Sequence, residues 1–473
     1  QSFSIPTGAT MPNIILNNSS TTISFAGGAT ATITSLLLQA GTFTASSGST
    51  TFSGVLTVFG GTFNGNSGLI TASGAFTLTG GTFNSTSGTI NFTSSYTHLA
   101  GTFNHNSGTV AFTGAAATVN VNATETFNNL IIHKNNNVTL TITAGDTLVV
   151  NGSLLLGEGL ASTGTINVKG NMTVRNLWDR GSAAYTISGS SNQTLTVVPD
   201  LFTTNTVTVA NTAVASLAAN AIITYLTINS GGTLNLAGYN LTSTRFNNYG
   251  TLKLTGDETV STPNLYSGST VEYTATSGTR NIANWAYQSL KINGSGGTFT
   301  LGTNTSLAEN LTVTAGTFDV NDLALSVNGN TTINGGTMKT GTNTVTFGDA
   351  AGDTVTISSG ELQIESDSTT ADIVKNAGTW TNSGGTITYN AGTVVSTSLL
   401  SSLSPYYNLT INSTGSTYTA NGALDLDGSL SISSGTLDAS TSSYNINLAG
   451  NWSNSGTFTP RSGTVTFDGS GAS

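Results

Sequence analysis

The feature that most constrains this chain is a 20-residue repeat in its N-terminal part. Gly-Thr-Phe occurs at Gly41, Gly61, Gly81 and Gly101, so an aromatic ring recurs at a fixed interval. A Ser-Gly pair and a second Phe column keep the same register, and three markers in one register over four copies indicate a repeat architecture. The two aromatic columns are Phe43, Phe63, Phe83 and Phe103, and Phe52, Phe92 and Phe112.

Each copy has the pattern of short β-strands. In residues 109–113 the apolar side chains alternate with small polar ones, which is the period of a half-buried strand. Gly, Asn and Ser separate such segments, as turns with positive φ require. A 20-residue unit holds about three five-residue strands at ~3.3 Å per residue. No stretch has a capped 3.6-residue apolar period, so helices are expected to be nearly absent.

One such unit cannot bury its apolar face alone, but copies stacked in parallel can. We therefore predict an all-β chain that forms a single long parallel β-helix (a β-solenoid), with about 20 residues per coil and roughly 23–24 coils. Degenerate copies continue to residues 456–458 without a break in composition, which predicts one continuous domain over 1–473. The clearest repeats span 41–120, and an irregular insertion lies around 176–182. A series of antiparallel sandwich modules would need a period longer than 20 residues.

Charge is scarce, and this excludes several classes of function. Only 7% of the residues are charged and the net charge is −10, so the chain offers no basic face for nucleic acid. Cysteine is absent, which excludes disulfides, thiol chemistry and Cys-bound metals. No apolar run is long enough to cross a membrane as a helix. A parallel stack explains the neutrality, because a repeated Lys or Glu would lie ~4.8 Å from its own copy.

The repeat phrases resemble the degenerate Gly-Thr-Phe and Asn-Leu-Thr-Ile-Asn repeats of large secreted bacterial surface proteins. These include adhesin-like and autotransporter-passenger-like parallel β-helices. The second phrase stands at Asn408 in this chain, and related phrases begin at Asn13 and Asn129. The resemblance covers nearly the whole chain. It implies an extracellular or cell-surface location, and it carries over no catalytic residue.

The two ends of the chain are expected to fit each other. The sequence begins at Gln1 without an apolar leader, which indicates either a removed signal peptide or a start inside a longer chain. Residues 462–473 stop within a repeat phrase, and residues 468–473 joined to residues 1–5 reconstruct a phrase similar to 188–197 with one residue inserted. Solenoids normally finish in a polar cap, and we expect no polar cap at either end.

Three interpretations of the ends remain open. The first coil of one copy pairs with the last coil of another in a heterologous contact that propagates as a filament. Alternatively, the chain is a segment of a longer solenoid, or degenerate repeats align here by chance. For the first interpretation, the expected end-to-end contact residues are Gln1, Phe3, Ile5, Val465 and Phe467.

Candidate sites for chemistry are few. Six acidic residues fall within 24 positions, but no calcium-loop signature accompanies them, so a solvated acidic loop is favoured over a cation site or a subunit contact. Asp425 and Asp427 lie on one strand face and are expected to be exposed. The three His residues occupy different phases of the repeat, which argues against a His-bound metal. The six acidic residues are Asp349, Asp353, Glu361, Glu365, Asp367 and Asp372.

Aromatic residues outside the Phe columns favour core positions over ligand binding. Trp380 and Trp452 stand at or beside repeat positions that elsewhere hold Phe or Leu, and one member of the Tyr406–Tyr407 pair must face outward. Residues 176–181 contain the Trp-Asp-Arg grouping of the insertion, where a local ion pair is favoured over a glycan-binding loop. We expect no catalytic residue, metal or cofactor.

The sequence therefore favours an extracellular structural protein that assembles head-to-tail with copies of itself and has no enzymatic activity. The main alternative is a stalk segment of a cell-surface adhesin, which shares every sequence feature. A polysaccharide-binding or polysaccharide-cleaving β-helix is the third interpretation, and cell-surface glycans are the corresponding partner. We expect no nucleic-acid partner and no membrane-spanning segment.

Overall fold

The computed structural model of this chain describes residues 2–6, 8–25, 28–175, 181–197, 202–366, 373–400 and 403–470. Contacts divide the chain into two compact units. Unit 1 comprises residues 1–247 and 259–262, and unit 2 comprises 248–258 and 263–473. The prediction of one continuous domain over 1–473 stays a prediction.

Unit 1 is built from short parallel strands, and in its first part each turn contributes three. Leu36, Leu56 and Phe76 are successive partners in one ladder, and Phe43 pairs with Phe63 in another. The strands of unit 1 are β1 (Ser2–Ile5), β2 (Thr10–Phe25), β3 (Thr30–Thr44), β4 (Ser49–Phe52), β5 (Leu56–Val58), β6 (Thr62–Asn64), β7 (Leu69–Ala72), β8 (Phe76–Asn84), β9 (Thr89–Phe92), β10 (Tyr96–Asn104), β11 (Thr109–Gly114), β12 (Ala117–Val121), β13 (Thr124–Phe127), β14 (Asn129–Lys134), β15 (Thr139–Ile142), β16 (Thr147–Val150), β17 (Leu154–Glu158), β18 (Leu160–Ser162), β19 (Thr165–Val168), β20 (Met172–Val174), β21 (Ala184–Ile187), β22 (Gln193–Val197), β23 (Phe202–Val209), β24 (Ala215–Leu217), β25 (Ala221–Ile228), β26 (Thr233–Asn235) and β27 (Leu241–Asn248), the last of which ends in unit 2.

Unit 2 repeats the same construction. Phe299, Phe318 and Met338 are successive partners in its best-formed ladder. The strands of unit 2 are β28 (Thr251–Leu254), β29 (Asn264–Leu265), β30 (Thr270–Tyr273), β31 (Thr279–Ile282), β32 (Ser289–Leu301), β33 (Thr305–Leu307), β34 (Leu311–Asp319), β35 (Leu325–Val327), β36 (Thr331–Lys339), β37 (Val345–Phe347), β38 (Thr354–Ile364), β39 (Ile373–Lys375), β40 (Thr379–Asn382), β41 (Thr386–Tyr389), β42 (Ser396–Ser398), β43 (Asn408–Thr419), β44 (Leu424–Leu426), β45 (Leu430–Asp438), β46 (Ile446–Leu448), β47 (Trp452–Asn454), β48 (Thr457–Thr459) and β49 (Val465–Phe467).

The predicted fold class is confirmed. The described residues are all-β, and parallel strands stack about 20 residues apart as a β-solenoid of about 22 turns. The count is slightly below the expected 23–24 because several turns are longer than the clearest repeats. Leu130, for example, pairs with Leu154, 24 residues later, and Thr354 pairs with Thr379, 25 residues later. Among the described residues, no helix is long and apolar enough to cross a membrane.

The core of each unit follows from the alternation within its strands. In β5 and β9 every second side chain is buried, so Leu56 and Val58 of β5 point into the coil while Thr57 faces outward. The backbone has a positive φ at the glycine of each of the four Gly-Thr-Phe phrases of unit 1, a conformation that favours glycine. Gly81 has a φ of 69°, and a Cβ on it would lie 2.6 Å from the carbonyl oxygen of Gly61 in the turn below.

Candidate functional site

The first aromatic column lies inside unit 1 and forms a continuous stack. Phe43, Phe63 and Phe83 are fully buried, and their ring centroids are 5.5 and 4.3 Å apart with nearly parallel planes. Phe103 continues the stack at 5.7 Å from Phe83 but is partly exposed. The stack therefore holds four turns together and ends at β10.

The second aromatic column is also buried, with one small residue within it. Phe52 pairs with Ala72, and Ala72 pairs with Phe92 in the next turn. Phe92 and Phe112 are then stacked at 5.7 Å. Phe76 and Tyr96 fill the space between the two columns, since Phe76 contacts both Phe83 and Phe92.

The outward face beside the first column is a neutral ladder. Asn64, Asn84 and Asn104 are partners in successive turns. The side-chain amide of Asn84 donates to the carbonyl oxygen of Asn64 at 2.8 Å, and that of Asn104 donates to Asn84 at 2.7 Å. Identical amides thus satisfy one another along the stack, as they do in other in-register parallel sheets.

The first turn of unit 1 exposes a core column. Phe3 pairs with Ile23, which pairs with the buried Phe43, yet Phe3 is 48% exposed. Ile5 is buried beside it, and Gln1 lies outside the described residues. Among the described strands, β1 pairs with β2 alone. An apolar depression of about 490 Å³ lies at this turn, lined by Phe3, Ile5, Met11, Ile14, Ile15 and Ile23 among others.

The last described turn of unit 2 is open in the same way. Phe467 pairs with the buried Leu448 but is 66% exposed, and Val465 of the same strand is partly exposed. Within the described residues, β49 pairs with β46 alone. Trp452 lies against Phe458 at 4.9 Å and against Phe467 at 6.4 Å, so three aromatic rings line this open turn.

Unit 2 places charged residues in a ladder, which the sequence analysis did not anticipate. Lys253, Glu272 and Lys291 occupy one column, and the Glu272 carboxylate lies 3.1 Å from the Lys253 ammonium and 3.4 Å from that of Lys291. The side-chain amide of Asn293 also donates to Glu272, at 2.6 Å. The signs alternate, so neighbouring turns attract where equal charges would repel.

Unit 1 buries a polar cluster that the sequence analysis missed. The Tyr96 hydroxyl donates to Oε2 of Glu125 at 2.6 Å, and His98 Nδ1 lies 2.5 Å from the same oxygen. The hydrogen bond to Glu125 raises the pKa of His98, although burial opposes the rise. Tyr96, His98 and Glu125 occupy inward-facing positions of β10 and β13, where the other inward residues are apolar. In the sequence, this cluster is indicated only by the alternation of Glu125 with the apolar Phe127.

A buried lysine lies near this cluster in sequence. Lys134 ends β14 and is 1% exposed, and its ammonium donates to the backbone carbonyl of Thr113 at 2.8 Å. Burial lowers the pKa of Lys134 to about 8. A protonated Lys134 therefore destabilises unit 1.

Tyrosine pairs anchor two irregular segments of unit 2. The hydroxyls of Tyr389 and Tyr406 lie 2.8 Å apart; one accepts the backbone N–H of Leu400 and the other donates to its carbonyl oxygen. Burial raises the pKa of Tyr389 and of Tyr406. The same arrangement recurs at Tyr273, Tyr287 and Ala283.

The four described acidic residues of the group singled out in the sequence have separate partners. Asp353 accepts hydrogen bonds from its own loop, including the backbone N–H of Asp349, while Glu365 lies 3.8 Å from Lys339. Glu361 accepts a hydrogen bond from a neighbouring glutamine at 2.9 Å. No group of three His, Asp or Glu residues in the described ranges is arranged to hold a metal ion. Asp367 and Asp372 lie outside those ranges.

The other singled-out residues are dispersed. Asp425 and Asp427 are exposed, as expected. Trp380 is 8% exposed and packs at 6.4 Å from Phe347, while Trp452 is partly exposed. Residues 176–180 of the insertion lie outside the described ranges. Tyr406 is buried and Tyr407 is partly exposed. His105 is partly exposed and His133 is exposed, and both are distant in sequence from Glu125 or His98 of the polar cluster.

No family model, curated protein or solved structure matches this chain. The functional interpretation therefore depends on the geometry of its own residues.

Proposed function

We propose that this chain is an extracellular structural protein whose open turns pair head-to-tail with copies of itself. The observation that carries the proposal is the solvent exposure of two residues that continue core columns. Phe3 and Phe467 continue columns that are buried further inside each unit, at Phe43 and Leu448, yet both rings are about half exposed or more, at 48% and 66%. Covering both columns removes this apolar surface from water.

The chemistry of the two open turns supports pairing between unlike ends. One turn presents mainly aliphatic side chains around Phe3, and the other presents the aromatic rings of Trp452, Phe458 and Phe467. Neither surface places a charged residue among the lining groups named above, so no ion is buried on contact. Each edge also offers unpaired backbone groups that a parallel strand satisfies. Such a contact is heterologous and propagates.

The role that follows is mechanical. Parallel ladders and the buried Phe43–Phe63–Phe83 stack distribute load over many backbone hydrogen bonds. A surface of Thr and Asn, with 7% charged residues in the chain, is insensitive to salt. The absence of cysteine makes the fold independent of redox conditions, which suits a location outside the cell.

Electron microscopy of the purified 473-residue chain over a concentration series tests the proposal. We expect fibres or oligomers whose length grows with concentration. Phe3→Asp and Phe467→Asp should each block growth, because either change buries a carboxylate in the contact. Val55→Asp is the matched control, since Val55 is also 48% exposed but lies in a turn between two paired strands.

Mixing the two blocked variants separates head-to-tail pairing from other modes. Each variant retains one intact end, so an equimolar mixture should give dimers that neither variant forms alone. Separate particles at every concentration, for the unmodified chain and for the mixture, would overturn self-assembly. The chain would then be better interpreted as a stalk segment of a larger adhesin whose further turns cover both edges.

Glycans are a second candidate partner, and one feature of unit 2 favours them. The rings of Tyr249 and Tyr266 are stacked at 4.2 Å with an interplanar angle of 10°, and both are more than a third exposed. Exposed rings with polar tips suit a ligand that is apolar on one face and hydroxylated at its rim. A glycan-array screen of the unmodified chain against Tyr249→Ala/Tyr266→Ala tests this, and equal binding by both chains would exclude the tyrosine pair.

A further inference from the structure

One of the backbone ladders of unit 1, that of the Gly-Thr-Phe strands, is interrupted where the Phe stack ends, while β10 and β11 continue to pair with β12 and β14. Residues 102–104 of β10 pair with β8 below, whereas β13 is the first strand of a separate sheet and pairs with β16 above. Within the described residues, no ladder joins β13 to residues 102–104. β10 is also irregular here, because its register shifts between His98 and Ala100 and again before Thr102.

Side chains span this interruption. Glu125 of β13 reaches Tyr96 and His98 of β10, 29 and 27 residues earlier in the chain, and both contacts are to its Oε2 atom. Phe103 and Phe127 add an edge-to-face ring contact at 5.8 Å across the same gap. The ladders β10–β12 and β11–β14 join the same turns elsewhere, so at this corner the contact between the two sheets consists of one carboxylate and the ring contacts of Phe127.

The charges around His98 determine how the contact between His98 and Glu125 depends on pH. Its neighbours in the ladder, Leu78 on β8 and Val121 on β12, carry no charge. The titratable groups bonded together with His98 are Tyr96 and Glu125. The Oδ2 atom of Asp146 accepts the backbone N–H of Val121 on β12 at 2.8 Å. His98 is thus the one cation in the arrangement, beside a carboxylate that is 6% exposed.

We propose that Tyr96, His98 and Glu125 form a proton-dependent brace that joins the Phe-stack turns of unit 1 to the turns that follow. With His98 protonated, the imidazolium neutralises Glu125 and the brace is closed. When the imidazolium loses its proton, Glu125 is buried without a counter-ion, which is unfavourable, and the turn containing β12 and β13 opens. This inference is independent of head-to-tail assembly.

The direction of the pH effect follows from linkage. The pKa of His98 is raised in the folded chain, so the brace contributes its full stability below the unfolded pKa of about 6.5. That contribution is lost as the pH rises through the folded pKa. Each unit by which the pKa of folded His98 exceeds its unfolded value corresponds to up to a tenfold change in the equilibrium between the closed and open turn.

Two measurements on the full chain test the brace. First, ¹³C-labelled histidine NMR follows the titration of His98 in the unmodified chain, and the pKa of His98 should lie above the ordinary histidine value of about 6.5. Second, hydrogen exchange, corrected for the intrinsic rate, should show residues 119–127 losing protection as the pH rises from about 6 to about 9. Residues 62–84 serve as the internal reference.

Variants distinguish a proton-dependent brace from ordinary packing. Glu125→Gln should lower the pKa of His98 and remove the pH dependence of exchange over 119–127, while His133→Gln, the matched control, should leave both unchanged. Tyr96→Phe should weaken the brace at every pH without removing its pH dependence. The proposal is overturned if the pKa of His98 is not above the ordinary histidine value of about 6.5, or if exchange over 119–127 has the same pH dependence in Glu125→Gln as in the unmodified chain. Because the NMR titration needs no variant, the test stands even where a variant fails to fold.

Discussion

Lys253 and Glu272 occupy the same column in successive turns of unit 2, with the ammonium of Lys253 3.1 Å from the carboxylate of Glu272. Lys291 in the following turn approaches the same carboxylate at 3.4 Å. A parallel stack brings equivalent positions to within ~4.8 Å, so a column accepts charge when the sign alternates from turn to turn. The short distance between equivalent positions therefore explains both why charged residues are scarce in this chain and why this column, with alternating signs, accepts them.

Replacing Glu272 with Gln should destabilise unit 2 by about 1–2 kcal/mol at neutral pH, because two ammonium groups lose a carboxylate that is only 3% exposed. Although burial acts to raise the pKa of Glu272, the hydrogen bond from Asn293 and the two lysines hold it below its usual value. A lowered pKa means that the stabilisation is present above about pH 4 and disappears as the pH falls through the folded value.

Urea unfolding of both chains over a pH series measures this effect. The difference in the free energy of unfolding should shrink towards zero in acid. Asp427→Asn, which removes an exposed carboxylate of the same unit, is the control and should change little. A Glu272→Gln difference that stays constant with pH would contradict the ion-pair interpretation.

The Phe stack provides a graded test of core packing in unit 1. Phe63→Ala should cost about 3–5 kcal/mol, since Phe63 is fully buried between rings at 5.5 and 4.3 Å. Phe103→Ala, at the partly exposed end of the same stack, should cost clearly less. Hydrogen exchange over 42–84 measures both, and equal costs would show that the stack does not act as a continuous core.

Comparing alanine substitutions at two glycines distinguishes the cost of backbone strain from the cost of steric crowding between turns. Gly81 and Gly145 both have positive φ, at 69° and 93°, but a Cβ on Gly81 meets backbone atoms at 2.6 Å whereas one on Gly145 meets nothing within 4 Å. Gly145→Ala should therefore cost about 1 kcal/mol from strain alone. Gly81→Ala should cost several times more, because neighbouring turns must move apart. Thermal unfolding of the two variants compares them, and similar shifts would mean that the close approach of turns is unimportant.

The repeat period made the fold predictable because it fixes which residues share a column. Spacing alone placed Phe43, Phe63 and Phe83 in one column, and their rings form one stack. It did not place Glu125 beside His98, because that contact joins two turns where the register is broken. Lys134 was missed because its partner is a backbone carbonyl, which a side-chain pattern does not report. The tyrosine pairs were missed because their hydroxyls meet 14 and 17 residues apart, outside the 20-residue spacing, and bond to backbone groups as well.

Lys134→Met should stabilise unit 1 at neutral pH by about 1 kcal/mol. The thioether fills the same space, and the benefit of removing a buried ammonium exceeds the loss of its hydrogen bond to Thr113. Because the folded pKa is about 8 and the unfolded value is about 10.4, the unmodified chain gains stability as the pH rises between them. The advantage of the variant should accordingly shrink over that interval. Unfolding at about pH 7 and at about pH 10 checks this, and an advantage that does not change would show that Lys134 is not titrating.

The Tyr389–Tyr406 pair of unit 2 predicts a loss of stability at alkaline pH. Burial raises the pKa of Tyr389 and Tyr406, so both remain protonated in the folded chain, and their stabilisation is lost as the pH rises above about 10. Tyr389→Phe removes the acceptor for the Leu400 N–H and should cost about 1–3 kcal/mol at neutral pH. Tyr407→Phe is the matched control, because Tyr407 is partly exposed and adjacent in sequence. Hydrogen exchange at Leu400 reports the contact directly. Unchanged protection in Tyr389→Phe would show that the segment is held by its apolar side chains instead, since only the hydroxyl is removed.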